Sequence, residues 1–161
     1  MSELAPCYEL PAGDVPVPLE QLPAVPTREQ ILALEGEMRK LPQMDLPPVH
    51  HFAKGIYARE LRIPAGTLLT GKVHRTEHLN ILSAGEITVW TEDGMKRVSA
   101  PFTIVSRPGT KRVGFAHTDC VWTTIHGTEE TDLERLEAEL IEPEIAIAHV
   151  EPEVLECPGQ Q

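Results

Sequence analysis

Cysteine, basic charge and long apolar runs are all scarce in these 161 residues. Cys7, Cys120 and Cys157 are odd in number and widely scattered. They make neither a disulfide framework nor a C-x-x-C metal clip, so a reducing, cytosolic compartment is expected. Lys and Arg number 14 against 25 Asp and Glu, a formal net charge of −11. That balance argues against a protein held to nucleic acid by phosphate contacts. No apolar run approaches the ~20 residues that span a bilayer. The N-terminal MSELAPCYEL has no basic stretch followed by an apolar one, so neither membrane insertion nor secretion is expected. A Ser/His/Asp order, a phosphate loop and a G-x-S-x-G turn are also missing, which leaves a nucleophilic hydrolase without support.

What is present divides the chain. Hydrophobic residues make up 41%, enough for the core of one domain. Residues 1–26 carry four acids and no base, a charge of −4, and residues 142–161 carry five acids and no base. Residues 128–141 hold six acids against Arg135, which leaves residues 27–127 at +3. Nine of the 15 prolines lie in residues 1–48 and three lie after residue 142. Proline fixes φ and removes a donor, so residues 1–26 and 143–161 are expected to be extended acidic arms. Residues 27–48 then form a helix and linker, 49–127 a β-barrel and 128–142 an acidic helix. Disordered tails are the plainer alternative for both arms, and IAIAHV near the C-terminus has the composition to add a strand to a sheet.

Thr27-Arg28-Glu29-Gln30 is a capping box, and Ile31, Leu34, Met38 and Leu41 follow it as one apolar stripe. Thr131-Asp132-Leu133-Glu134 has the same form and predicts a second helix, ended by Pro143. Strands are predicted near 50–54, 56–63, 67–74, 78–83, 86–91, 95–99, 102–106, 111–116 and 120–126. They are separated by turns such as Pro64-Ala65-Gly66, Ser83-Ala84-Gly85 and Glu92-Asp93-Gly94. Short strands at this spacing, with no helical crossovers, predict a mainly β, antiparallel sandwich or barrel.

Histidine is the residue that carries chemistry. On extended backbone the even offset between His74 and His78 puts both rings on one face, with Lys72 and Asn80 sharing that parity. Two neutral imidazoles converging inside a barrel make half of a transition-metal site, which a third ligand from another strand would complete. His126 shares parity with Trp122 and Thr124 and is the candidate third ligand. Plain hydrogen bonding within a sheet is the alternative for the pair. His117 falls in a polar turn, His50 and His51 enter the first barrel strand, and Glu77 faces away from His78. Arg112 is a candidate anion ligand through its planar guanidinium, and the alternative is a surface Lys111-Arg112 pair. Trp90, Trp122 and Cys120 read as core or interface residues.

Gly66, His74 and Gly85 match the first-Gly, second-His and last-Gly positions of the first cupin motif, G-x5-H-x-H-x3–4-E-x6-G. Lys72 stands where the first His belongs, and His78 stands where the Glu belongs. The second motif is degenerate: Pro108 takes the Pro place, Gly109 comes one residue early, and Val113 or Arg112 occupies the place of the metal-binding His. Residues 50–127 thus resemble the cupin superfamily. The resemblance implies a small double-stranded β-helix (a jelly roll) that forms a homodimer or higher oligomer. Only His74 carries over as a matching ligand, with His78 as a substitute, so the resemblance also implies a binding or structural module rather than a metal enzyme. The run from His50 to Val89, with VWTTIHGTEETDLE further on, resembles small cupin-like proteins encoded by tailed phages and prophages.

These features lead to an expectation of a non-enzymatic, phage-type virion component. Its arms would bind neighbouring capsid or tail subunits, in the virion or in the cytoplasm of the bacterial host. Two alternatives accompany it. One is a metal-dependent cupin enzyme with one divalent transition metal on His74, His78 and His126 and an anionic substrate on Lys72 or Arg112. The other is a barrel that binds a small molecule without chemistry.

Overall fold

The computed structural model describes residues 7–9, 25–91 and 93–142. Ten strands and two helices occur among them. They are β1 (Cys7–Glu9), α1 (Arg28–Met38), β2 (Val49–Ala53), β3 (Ile56–Ile63), β4 (Thr67–Thr70), β5 (His78–Ala84), β6 (Glu86–Thr91), β7 (Gly94–Ser99), β8 (Phe102–Ser106), β9 (Val113–Ala116), β10 (Cys120–Gly127) and α2 (Leu133–Leu140). The strands make two five-stranded antiparallel sheets, ordered β1-β4-β9-β6-β7 and β2-β3-β10-β5-β8. Without β1 and β2, each sheet is a four-stranded set in which the chain repeatedly passes from one sheet to the other. That interleaving is the double Greek key of a jelly roll, so the expected cupin-like double-stranded β-helix is the observed fold. No helix among the described residues is long and apolar enough to cross a membrane.

The predicted strands fall within a residue or two of the observed ones, with three differences. The strand predicted over 67–74 ends at Thr70. Beyond it the Gly71 N–H donates to Arg112 O, and His74 forms only an isolated bridge with Ile141. The strand predicted from 111 begins at Val113. Part of the first arm is a strand: Cys7–Glu9 pairs antiparallel with β4. Arm residues 1–6, 10–24 and 143–161 lie outside the described residues.

Helix α1 starts on the predicted capping box, with both the Thr27 and Gln30 side chains engaged. Its buried Ile31, Leu34 and Met38 pack on Leu68, Trp90 and Val113, covering the outside of the first sheet. Glu35 on α1 pairs with Lys111 at 2.5 Å, both side chains being 8% exposed. Lys111 is therefore no surface residue, which corrects the reading of a surface Lys111-Arg112 pair. Alternation along the backbone sends Lys111 and Val113 towards α1 and Arg112 and Gly114 into the bore. Helix α2 is capped by Asp132, whose carboxylate accepts from Arg135 N, so the cap lies one residue later than the Thr131 box predicts. Asp accepts this bond as well as Thr does.

Inside the second sheet the inward residues form rows that change character along the bore. One row across β3, β10, β5 and β8 is Leu61, Trp122, Leu82 and Phe102, and the next is Arg59, Thr124, Asn80 and Ile104. Beyond it lie Tyr57 opposite His126 and His78 opposite Ser106. The apolar end is sealed by Ile63, Leu82, Ile87, Ala116, Cys120 and Leu46, the last from the linker after α1. Gly85 turns β5 into β6 with φ +86°, and a Cβ there would lie 2.2 Å from Asp119 O. Only glycine fits that turn.

Candidate metal centre

Three histidines meet at the polar end of the bore. His78 opens β5 and His126 is the last residue but one of β10, one step beyond the registered pair Leu79 and Ile125. His74 comes from the connection before β5, where its backbone is bridged to Ile141 just after α2. The ring centroids lie 4.4 Å apart for His74 and His78 and 4.8 Å apart for each of these with His126. One nitrogen from each ring falls within 4.8 Å of the others. The parity argument thus picked residues that the structure does bring together. For His74, however, the geometry comes from a bend and a bridge to the last helix rather than from one continuous strand.

The donors are prepared for a cation. His78 Nδ1–H donates to Thr76 O at 2.9 Å, which fixes the tautomer and leaves Nε2 as a lone-pair donor. His74 Nδ1 and His126 Nδ1 are buried with no hydrogen-bond partner among the described residues. A buried polar atom without a partner is costly, and each of these rings offers one nitrogen to the converging group. Burial first, then the neighbouring His78 and His126 rings, Arg59 and Arg112, hold His74 down to about 2. Burial, then His78 and Arg59, hold His126 down to about 4. His78 is also lowered by burial, against the opposing bond to the Thr76 carbonyl. Neutral imidazole is the ligating form. Three such donors suit a divalent transition metal.

A cavity of about 100 Å³ opens beside the rings, lined by Arg59, Lys72, His74, His78, Arg112 and apolar residues deeper in the bore. Asn80 organises its polar wall. Its Oδ1 accepts from Trp122 Nε1 at 3.1 Å and from the Thr124 hydroxyl at 3.0 Å, while its Nδ2 donates to Ser106 Oγ. Arg112 Nη2 donates to the same Ser106 oxygen. Burial pulls the Arg112 guanidinium below its ordinary value, opposed by Asp93. Lys72 lines the cavity, with its ammonium paired to Glu137 of α2.

The other histidines among the described residues are employed elsewhere, and His149 lies outside them. His117 bonds Thr88 at 2.6 Å, His50 bonds the Tyr57 hydroxyl at 2.8 Å and His51 meets Glu60 at 3.3 Å. Glu77 is exposed, as expected. Trp90 packs under α1, and Cys120 is buried and free. Sequence reasoning missed Arg59 and Tyr57. Their signal was parity, because β3 places Tyr57, Arg59, Leu61 and Ile63 on one face and a charged residue interrupts that apolar series.

No protein-family model matches the chain, and no curated protein matches it in sequence. Solved structures do show a likeness of fold. KdgF from Halomonas sp. is 13% identical, with a TM-score of 0.45, covering 57% of this chain and 91% of that one. A cupin-2 domain containing protein from Shewanella frigidimarina is 13% identical, with a TM-score of 0.44, covering 58% and 91%. An RmlC-like cupin family protein with a double-stranded β-helix fold, from Methanocaldococcus jannaschii, is 10% identical, with a TM-score of 0.42, covering 55% and 87%.

Proposed function

We propose that the protein is a divalent-metal-dependent enzyme acting on a small molecule, with the metal held by His74, His78 and His126. One observation carries this reading: three imidazoles from three separate segments converge within 4.8 Å, beside a cavity that His74 and His78 line. Three protein ligands leave coordination positions open, which is the pattern of catalytic rather than structural sites. A bound ion would supply Lewis acidity, or a water deprotonated near neutral pH. The chain's own residues orient the donors through Thr76, order the wall through Asn80, and exclude water with the apolar bore behind it.

Elemental analysis of protein purified without chelator tests the proposal. About one transition-metal ion per chain is expected, with loss of the ion in the His74→Ala/His78→Ala double variant. Added Co²⁺ should raise the melting temperature of the metal-free protein. No stoichiometric metal and no Co²⁺ effect would overturn the reading.

A phage-type structural role, with arms that bind capsid or tail subunits of a homo-oligomeric assembly, draws support from a different observation. Cys7–Glu9, within the proline-rich arm, adds a strand to the edge of a sheet at β4, so arm sequence of this kind is competent to extend a β-edge. Its test is deletion of residues 1–26 and 142–161, which should abolish incorporation into particles. Normal incorporation of the truncated chain would end that reading.

A further inference from the structure

Arg59, Lys72 and Arg112 line the cavity, and no Asp or Glu does so among the described residues. Lys72 is answered by Glu137. Arg112 makes no salt bridge among the described residues, Asp93 acting on it only from a distance, and its hydrogen bond goes to a neutral hydroxyl. That bond engages one of a guanidinium's five N–H donors. A desolvated cation is costly until an anion meets it. The other wall is apolar, built from Leu61, Ile63, Leu69, Ile87 and Val89. A cavity of about 100 Å³ holds roughly three waters at ~30 Å³ each, the space of a short-chain organic acid.

We propose that this cavity binds a small aliphatic carboxylic acid, its carboxylate on the Arg112 guanidinium and its hydrocarbon body against Leu61, Leu69, Ile87 and Val89. A planar carboxylate matches the guanidinium fork. A phosphate would press unpaired oxygens against the apolar wall. The proposal deepens the metal-centre reading, resting on it for the ligand's chemistry but not for its binding.

Calorimetry on the full chain, metal-free and Co²⁺-loaded, tests the site with butanoate, its neutral amide and inorganic phosphate as probes. The acid should bind both forms, and the amide and phosphate should bind at least about tenfold more weakly. Arg112→Gln should weaken the acid about 10- to 100-fold, as for the loss of a charge-assisted hydrogen bond. Arg112→Lys should retain part of the affinity and serves if the Gln variant does not fold. Lys72→Met, already engaged by Glu137 in the parent protein, should change affinity less than about threefold. No acid binding to either form, equal binding of acid and amide, tighter binding of phosphate, or full affinity in both Arg112 variants would overturn the proposal. Acid binding without Co²⁺ uptake would overturn the metal centre and leave the carboxylate site standing.

Discussion

The two ends of one barrel follow opposite rules. At the end built from Ile63, Leu82, Ile87, Ala116 and Cys120, the buried side chains form an apolar cluster and the strands are joined by tight turns such as Gly85. At the other end, three imidazoles and a guanidinium sit where an ordinary jelly roll would bury aliphatic carbon, and two imidazole nitrogens have no partner. The first end contributes free energy of folding. The second draws on it, because each desolvated polar group there costs stability until something binds. The strand register that stacks Leu82 beside Trp122 also sets Asn80 beside Thr124, so one ladder serves both ends.

The largest expected effect is at the apolar end. Leu82 is 0% exposed, so Leu82→Ala should destabilise by about 2–5 kcal/mol in urea unfolding, with metal affinity per folded molecule unchanged. A loss of metal affinity would show that the two ends are coupled.

Acidification should act at the polar end next. His74 and His126 have folded values near 2 and 4, below the ordinary 6.5. Between pH 6.5 and about 4 the unfolded chain therefore binds more protons than the folded one. Metal-free protein should hold its stability above pH 6.5 and lose it steadily as pH falls towards 4. The check is the melting temperature across that range, and a flat profile would contradict the burial of these rings.

The smallest expected effect is that of His126→Gln on the metal-free fold. His126 is 2% exposed and its Nδ1 has no partner, so its removal should shift stability by less than about 1 kcal/mol while abolishing stoichiometric metal. A cost as large as that of Leu82→Ala would place His126 in the structural core instead.

The fold was legible because jelly-roll strands are short, alternating and separated by glycine turns, and those signals are local. The site was legible in part. His78, Asn80, Thr124 and His126 follow from strand parity, which one sequence displays. His74 owes its place to a bridge with Ile141, a contact across the fold that no periodicity encodes. Parity on β3 marks Arg59 as inward, but what it faces there, Thr124 and Asn80 across strands, is set by the sheet register. The burial of Lys111 depends on Glu35, far away in sequence. For Lys72, spacing found the lining position, and only the packed helix reveals that Glu137 has already taken its charge.

The bridge between His74 and Ile141 also sets a timetable. Arg75 donates to the Leu140 carbonyl and the Glu142 N–H to Val73, so the loop that carries His74 is stitched to nearly the last described residues. During synthesis the strands bearing His78 and His126 can pair as soon as β10 emerges. The third ring has no fixed position until α2 has followed and docked. The three rings are therefore brought together only after α2 has docked, and an ion held by all three would follow that docking rather than guide it.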